Sequence, residues 1–397
     1  MVMKKMRNSV KCLIAFFVMA TAFCATSVTA QAAVTLQQID ASDSSVKVQW
    51  TQQSGAKYYG WQIATDASFN NIVKQDYEST SYTNRSISAL TAGSTYYVRV
   101  GYGSTYKTCY ANWSQTLEVV TAPTGLTEVK FVGADDTTAT IAYNACAGAT
   151  GYDIEYNKAI IGTTADTTYR VPIVDGASSW VKVYPYRTSS TGFKATGNYK
   201  YCSDLSRLTT TIAKDNFGVT SALTNINVFY FAALGYGKGV DMELTPVSGK
   251  GNVVNVTGSL NSSSSIRVDN LTKGTMYKYR VRAYVVTSDS QKVYGNWSDY
   301  RYLINTKDSK YTSSGRKIKL KWGKLKGVSK IKVAIATSEN GKYKTCKVLS
   351  GKKTNYTVTK CGKKPLKKGK KYWVKVTYST KGGTSDVYGV ISGFKVR

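Results

Sequence analysis

A dense group of lysines marks the C-terminal quarter of this 397-residue chain. Seven of them fall close together: Lys360, Lys363, Lys364, Lys367, Lys368, Lys370 and Lys371. A lysine side chain carries a strongly hydrated point charge, which suits diffuse recognition of phosphate or sulfate without bidentate geometry. Arginines and aromatic residues, which sequence-specific readers of nucleic acid use, do not interrupt the run. We therefore treat these lysines as candidate polyanion-binding residues.

The charge is concentrated in the same part of the chain. Residues 308–397 hold 25 Lys or Arg and 3 Asp or Glu, whereas the whole chain has a net charge of +31. Lysine used only for solubility would be spread evenly, although a purely solvated basic face stays open as the alternative. The uneven distribution predicts an anionic cell-wall polymer, such as a teichoic acid, or another extracellular polyanion as partner.

Composition excludes most catalytic chemistry. The chain has no histidine, which removes Ser-His-Asp and Cys-His nucleophile pairs and the commonest metal ligand. No cysteine pair has zinc-site spacing, and no glycine-rich phosphate loop follows a strand and opens a helix. The 23 carboxylates are scattered, so a two-carboxylate glycosidase site is a weak alternative. We expect no catalytic residues, no metal, no cofactor and no small-molecule substrate.

A corner motif, Leu-x-x-Gly-x-x-Tyr followed by alternating apolar residues, recurs along the chain. Its copies begin at Leu90, Ile173, Leu271 and Leu366, and the second copy has Ser179 in place of tyrosine, followed by Trp180. They are roughly 80 to 100 residues apart, which is too long for a solenoid turn and typical of a small all-β domain. The motif therefore predicts four tandem domains.

Two further signatures recur in the same order. An alternating strand ends in a large aromatic residue with a glycine five positions later; the pairs are Trp50 and Gly55, Tyr143 and Gly148, Tyr230 and Gly235, and Trp322 and Gly327. Period-two alternation places the apolar residues on one face of a half-buried strand and turns lysines such as Lys317, Lys319 and Lys321 to water. Near the end of each repeat comes a Tyr-x-x-x-Ser segment, which carries Trp113 and Trp297 in repeats 1 and 3.

These signatures resemble the fibronectin type III family. The resemblance implies an all-β fold of four tandem seven-stranded β-sandwiches, each with its own core. The predicted boundaries are 33–121 for repeat 1, 122–212 for the divergent repeat 2, 213–307 for repeat 3 and 308–397 for the basic repeat 4. The resemblance also implies that corner tyrosines Tyr96, Tyr277 and Tyr372 bond backbone upstream. With Trp50 and Trp322, they are the predicted structural residues.

Trp113 and Trp297 allow two interpretations. Each begins a last strand beside outward-facing arginines, Arg99 in repeat 1 and Arg280 and Arg282 in repeat 3. A surface cation–π stack is the structural interpretation. Stacking on a sugar ring is the functional one, and it would make the protein an adhesin or a carbohydrate-binding module that contacts glycan or a host protein.

Five cysteines follow the N-terminal segment, so at least one lacks an intramolecular partner. Cys346 and Cys361 flank neighbouring predicted strands of repeat 4, and a disulfide between them would close about 15 residues and contribute roughly 3 kcal/mol. Cys146 and Cys202, expected near one end of repeat 2, form a second candidate disulfide. Free buried thiols are an equally open alternative for both pairs.

The N-terminus has the pattern of a signal peptide. Lys4, Lys5, Arg7 and Lys11 precede an apolar stretch, and Ala30-Gln31-Ala32 supplies a small-x-small cleavage signal. Residues 1–32 are therefore the predicted signal peptide, and no transmembrane segment is predicted in the mature chain. We expect an exported protein of a Gram-positive bacterium, secreted and held at the cell surface, if at all, by noncovalent contacts.

Together these features predict a non-catalytic binding and spacer protein of the cell surface. Repeat 4 would dock on anionic envelope or extracellular polymers, and repeats 1 to 3 would act as spacers or display loops. In the alternative, exposed tryptophans and tyrosines contact neutral glycan. Ionic strength separates the two, because only the first interaction fades steeply with added salt.

Overall fold

The computed structural model describes residues 33–174, 180–223, 226–231, 239–259, 265–305, 310–386 and 389–396. The predicted signal peptide and Ser179 lie outside them. The described residues form thirty-two β-strands and one short 3-10 helix, Lys214–Asn216. The all-β prediction is confirmed.

The strands of repeats 1 and 2 come first in the chain. Repeat 1 contains β1 (Leu36–Ala41), β2 (Ser45–Trp50), β3 (Tyr58–Ala64), β4 (Ile72–Ser79), β5 (Asn84–Ser88), β6 (Thr95–Gly103) and β7 (Leu117–Val120). Repeat 2 contains β8 (Val129–Ala134), β9 (Thr138–Tyr143), β10 (Gly151–Tyr156), β11 (Ala159–Thr164), β12 (Thr168–Pro172), β13 (Val181–Thr188), β14 (Lys194–Thr196) and β15 (Lys200–Cys202).

Repeats 3 and 4 follow. Repeat 3 contains β16 (Phe217–Leu223), β17 (Ile226–Phe231), β18 (Gly239–Pro246), β19 (Val254–Ser259), β20 (Ser265–Asp269), β21 (Met276–Val286), β22 (Lys292–Tyr294) and β23 (Arg301–Ile304). Repeat 4 contains β24 (Lys310–Ser314), β25 (Lys317–Lys321), β26 (Lys330–Ala336), β27 (Lys344–Ser350), β28 (Asn355–Val358), β29 (Lys360–Cys361), β30 (Lys364–Pro365), β31 (Lys371–Ser379) and β32 (Gly389–Lys395).

One pairing scheme recurs in the four groups of strands. The first, second and fifth strands form a three-stranded sheet, in the orders β1-β2-β5, β12-β9-β8, β16-β17-β20 and β24-β25-β28. The third, fourth and later strands form the other sheet, in the orders β4-β3-β6-β7, β11-β10-β13, β19-β18-β21 and β27-β26-β31-β32, and in repeat 4 the strands β29 and β30 form a separate two-stranded sheet. In repeats 2 and 3 the last strand is interrupted, so β14 and β15 both pair with β13, and β22 and β23 both pair with β21.

Six signature glycines lie among the described residues, and all of them occupy the left-handed backbone region; Gly176 and Gly235 lie outside the described residues. Gly55, Gly148 and Gly327 have φ values of +78°, +75° and +78°, and the corner glycines Gly93, Gly274 and Gly369 have +60°, +67° and +79°. Only glycine enters this region at no steric cost. The turn geometry therefore explains why glycine recurs at these positions.

The chain divides into two compact units. The first is Met1–Gln37 with Val48–Arg85 and Tyr97–Leu117, and the second is Gln38–Lys47 with Ser86–Tyr96 and Glu118–Arg397. In the first unit, β3 pairs with β6, so that buried Ile63 lies opposite buried Val98.

The sequence predicted a separate core for each repeat. In the second unit, buried clusters are shared between repeats instead. A single buried cluster runs from Leu126 in repeat 2 to Leu303 in repeat 3. The core of repeat 4 likewise includes Met276 and Ile304 of repeat 3. The period of the motif locates each repeat but carries no information on which side chains are buried against a neighbouring repeat.

Candidate polyanion-binding surface

The corner of repeat 4 is a tight turn fixed at both ends. Leu366 and Tyr372 are buried on either side of it. The Tyr372 hydroxyl accepts a hydrogen bond from the Lys367 N–H at 3.1 Å, and the Lys370 N–H donates to the Lys367 carbonyl at 3.2 Å. Gly369 supplies the positive φ that the turn requires, and the four lysines between the two anchors are exposed.

All seven candidate lysines are exposed around this turn. We call them the corner lysines: Lys360, Lys363, Lys364, Lys367, Lys368, Lys370 and Lys371. The short hairpin β29–β30, in which Cys361 pairs with Lys364, places three of them beside the turn that carries the others. Lys371 Nζ also lies 5.2 Å from the centre of the Trp373 ring. The sequence cluster is therefore a spatial cluster.

Protein carboxylates do not neutralise this surface. Among residues 310–386 and 389–396, the acids are Glu339 and Asp386. Asp386 is already engaged, since its carboxylate accepts from Arg301 Nε at 2.7 Å and from the Tyr279 hydroxyl. In the described part of the chain no carboxylate forms an ion pair with a corner lysine. Lysines within a Debye length of about 8 Å repel one another, so the surface favours an external anion.

The corners of repeats 1 and 3 have the same geometry with fewer charges, none in repeat 1 and the single Lys273 in repeat 3. The Tyr96 hydroxyl accepts from the Thr91 N–H at 2.9 Å, and the Tyr277 hydroxyl accepts from the Thr272 N–H at 3.0 Å. Repeat 1 builds its corner with Thr91, Ala92, Ser94 and Thr95 where repeat 4 has Lys367, Lys368, Lys370 and Lys371. The turn therefore does not need lysine in order to form.

The predicted structural residues are all buried: Trp50, Trp322, Tyr96, Tyr277 and Tyr372. The structure adds a second type of tyrosine anchor that sequence analysis missed. The Tyr59 hydroxyl accepts from the Gln53 N–H at 2.6 Å, and that of Tyr152 accepts from the Cys146 N–H at 2.9 Å. Both donors lie six residues upstream of their tyrosine. Each tyrosine closely follows the glycine of the aromatic-and-glycine signature, at Gly55 or Gly148, so this spacing could have identified the two tyrosines from the sequence.

Trp113 is half-buried, and arginine covers its ring. The Arg99 guanidinium lies 4.4 Å from the Trp113 ring centre and 4.1 Å from that of Phe69. Arg99 Nε and Nη2 also donate to Gln62 Oε1 at 2.8 and 2.7 Å. Burial lowers the pKa of this guanidinium, which nevertheless stays charged at neutral pH.

Trp297 in repeat 3 has a similar environment. Arg280 and Arg282 lie 4.6 and 4.5 Å from its ring centre. Glu243 and Asp241 hold these two arginines at 3.0 and 3.4 Å. Because the tryptophan faces carry guanidinium groups, the cation–π interpretation describes both residues, and a sugar ring would have to displace an arginine.

Several tyrosines are more exposed than the two tryptophans, and two of them lie side by side in the first unit. Tyr77 and Tyr106 are 43% and 48% exposed, and their ring centres are 5.7 Å apart. Tyr58 lies edge-on to Tyr77 at 6.0 Å. The sequence did not single out these residues, because their alternation matches ordinary strand composition.

The five described cysteines are free thiols in this structure. Burial, and then the nearby Cys361, raise the pKa of Cys346 to about 11. In the other candidate pair, Cys146 Sγ lies 3.3 Å from the Gly125 carbonyl and Cys202 Sγ lies 3.4 Å from that of Ser203. Disulfide formation by either pair stays a prediction.

Among the residues that the structure describes, no group of three or more His, Cys, Asp or Glu side chains is placed to hold a metal ion. Within the same residues, no helix is long and apolar enough to cross a membrane.

Comparisons with known proteins include likenesses to solved structures at low sequence identity. No family model matches the chain, and no curated protein matches it either. The FN1–FN3 domains of chicken CNTN1 are similar at 12% identity, over 90% of this chain and 97% of that chain, with a TM-score of 0.18. A two-domain fibronectin type III segment of chicken tenascin shares 13% identity over 44% of this chain and 97% of that chain, with a TM-score of 0.20. At these values, neither likeness adds weight to the strand order and tyrosine corners described above.

Proposed function

We propose that this chain is an exported, non-catalytic binding and spacer protein whose repeat 4 docks on an anionic polymer of the cell envelope or its surroundings. The observation that supports the proposal is the set of exposed, unneutralised corner lysines on a turn that repeat 1 builds from neutral residues. Since folding does not require these charges and their mutual repulsion opposes it, an interaction with an external anion accounts for them.

Lysine chemistry sets the kind of recognition. Exposed ammonium groups on flexible stems attract phosphate or sulfate without selecting a fixed orientation, and binding releases counterions from the polymer. The interaction would therefore be broad in specificity, strong at low ionic strength and weak at high ionic strength. Repeats 1 to 3 carry most of the acidic residues. They would extend away from the anionic surface on which repeat 4 docks.

The direct test replaces the corner of repeat 4 with that of repeat 1. The corner variant carries four substitutions, Lys367→Thr, Lys368→Ala, Lys370→Ser and Lys371→Thr. It retains Leu366, Gly369 and Tyr372. Pull-downs on purified cell wall, on heparin and on a neutral glycan, each at two salt concentrations, should show that the corner variant loses most anionic binding. The scattered control Lys324→Thr, Lys342→Ala, Lys347→Ser and Lys352→Thr removes the same charge from exposed positions elsewhere in repeat 4.

A second candidate function rests on the exposed tyrosines. Tyr77 and Tyr106 expose nearly half of their surface beside one another, and neighbouring exposed aromatic rings of this kind suit a neutral sugar in an adhesin. In the same pull-downs, this function predicts salt-insensitive retention on the neutral glycan that Tyr77→Ala and Tyr106→Ala abolish. If retention on anionic polymer is equal for the wild type and the corner variant, the first proposal is wrong.

A further inference from the structure

A second group of lysines forms a straight column on one sheet of repeat 4. Lys317, Lys319 and Lys321 alternate with buried Ile318 and Leu320 along β25. All three lysines are exposed on the outer face of the sheet β24-β25-β28. Because β25 is the central strand, its backbone is held on both sides, and the roots of the three side chains are fixed about 6.8 Å apart.

The strands on both sides contribute small polar side chains and one more lysine to this face. Lys319 lies between Thr312 of β24 and Thr357 of β28. Lys321 lies between Lys310 and Asn355, and Ser314 is opposite Lys317. The exposed members, which we call the lysine face, are Lys310, Thr312, Ser314, Lys317, Lys319, Lys321, Asn355 and Thr357.

The lysine face has no carboxylate and no aromatic ring. Tyr311 and Tyr356, the aromatic residues of the flanking strands, alternate to the other side and pack against the core. Lys310 stands directly opposite Lys321, an arrangement of like charges that destabilises a sheet. The equivalent strand of repeat 2, β9, has Thr138, Thr140 and Ala142 at the positions of Lys317, Lys319 and Lys321. The column is thus specific to repeat 4 and is not required by the fold.

The spacing of the column identifies a ligand. Two residues of an extended peptide contain six backbone bonds and span about 6.8 Å. A phosphodiester chain with three carbons between phosphates also has six backbone bonds per repeat, so successive phosphates can lie roughly 7 Å apart when it is extended. One phosphate then meets each lysine of β25, and the flanking threonine and asparagine side chains can donate to its remaining oxygens.

We propose that the lysine face binds an extended polymer of glycerol phosphate, one phosphate to each of Lys317, Lys319 and Lys321. The polymer, rather than a single-stranded nucleic acid with the same backbone spacing, is favoured because the face offers no ring on which a base could stack. This inference rests on the proposed function and specifies its ligand.

The lysine face leads into the corner lysines. Ile318 pairs with Val358 at the end of β28, and Lys360 follows Val358 after a single intervening residue. The Thr359 carbonyl accepts from the Leu366 N–H at 3.0 Å, which ties this chain segment to the corner. A polymer that follows the column from Lys321 to Lys317 therefore reaches the corner lysines without crossing an acidic residue of the described face.

The test measures binding of the whole mature chain to a synthetic 1,3-linked glycerol phosphate oligomer of defined length over a range of salt. The face variant Lys317→Thr, Lys319→Thr and Lys321→Ala introduces the residues that repeat 2 uses at these positions. Its log–log salt slope should fall by about 2, since each phosphate contact on a single-stranded polyanion contributes about 0.7. Its affinity at low salt should fall about tenfold or more.

A matched control removes the same charge from loops. The control variant carries Lys324→Thr, Lys342→Thr and Lys352→Ala, at three exposed positions outside the lysine face. This variant should bind almost as the wild type does. A 1,5-linked ribitol phosphate oligomer, whose eight-bond repeat extends roughly 9 Å, should bind more weakly per phosphate than the glycerol phosphate oligomer. Circular dichroism and thermal melts establish that each variant is folded. The single variant Lys319→Thr should give about one third of the change in salt slope that the face variant gives.

The outcomes separate this inference from the proposed function. Equal losses for the face variant and the control overturn the inference, whereas the corner variant alone decides the proposed function. Tighter binding of an oligothymidylate than of the glycerol phosphate oligomer overturns the choice of polymer. If the wild type binds purified cell wall or heparin but not the glycerol phosphate oligomer, the inference alone is wrong.

Discussion

Hydroxyl groups of buried tyrosines fix the turns from which the surface charges project. Tyr372, Tyr277 and Tyr96 each bond the backbone N–H five residues upstream. A buried aromatic residue removes roughly 150–250 Å² from water, and its hydroxyl adds a net contribution of about 0.5–1.5 kcal/mol. The tyrosine therefore combines core packing with a fixed turn, and the turn residues themselves are free to vary.

The first prediction separates these two contributions at Tyr277. Tyr277→Phe removes only the hydroxyl that accepts from Thr272 and should cost about 1–2 kcal/mol. Tyr277→Ala also opens a cavity in the buried cluster and should cost about 3–5 kcal/mol. Denaturant unfolding of the two variants measures both values. A cost for Tyr277→Phe equal to that for Tyr277→Ala would show that the packing of the ring contributes little.

Cysteine reactivity provides the second prediction at this scale. With its pKa raised to about 11, Cys346 holds far less thiolate at pH 8 than an unfolded cysteine with a pKa of about 8.5. Alkylation of folded protein by iodoacetamide should therefore be about a hundredfold slower at Cys346 than in denaturant. If Cys346 stays unlabelled in denaturant until reductant is added, the predicted disulfide with Cys361 is present.

At the scale of elements, the corner turns differ in what surrounds their glycine. A Cβ atom on Gly369 would have no atom within 4 Å, whereas one on Gly274 would lie 2.6 Å from the Lys324 carbonyl oxygen. Both residues have positive φ, so alanine at either position carries the same conformational cost. The contact at Gly274 arises because repeat 4 packs directly on the corner of repeat 3.

The difference between Gly369 and Gly274 gives a third prediction. Gly369→Ala should destabilise the protein by about 1–2 kcal/mol, the cost of the left-handed conformation. Gly274→Ala should cost more, because backbone must also move. Unfolding free energies of the two variants test this order, and equal costs would contradict the steric role of Lys324.

The sequence predicted elements well and contacts between repeats poorly. Period-two alternation located strands such as β25, and the glycine and tyrosine spacing located the turns. The alternation also turned Lys317, Lys319 and Lys321 to water, yet it could not reveal that Lys310 and Thr357 flank them, because pairing register depends on residues far apart in sequence.

At the scale of the second unit, repeats 2, 3 and 4 are joined by specific contacts. The Ser288 Oγ accepts from the Phe131 N–H at 2.8 Å, and the Ser288 N–H donates to the Phe131 carbonyl at 2.9 Å. Arg301 and Tyr279 of repeat 3 hold Asp386 of repeat 4. These contacts, together with the shared buried cluster, predict cooperative unfolding rather than independent domains.

Hydrogen exchange provides the fourth prediction. In Tyr277→Ala, amides of β10 in repeat 2 should lose protection together with those of β18 in repeat 3, since both strands line one cluster. As a control, Tyr96→Ala changes a corner outside that cluster and should leave β18 protected. Unchanged protection of β10 in Tyr277→Ala would show that the two repeats unfold independently, as the sequence alone predicted.

At the scale of the whole molecule, we propose that the excess positive charge of repeat 4 binds an anionic polymer. The most direct measurement is the slope of log affinity against log salt for the glycerol phosphate oligomer, with the wild type, the corner variant and the scattered control side by side. The account predicts a steep negative slope that falls by about 3 in the corner variant, at about 0.7 for each of its four lysines, and stays nearly unchanged in the scattered control. Equal slopes for the corner variant and the scattered control would contradict it, because the corner lysines would then be only part of a solvated basic surface.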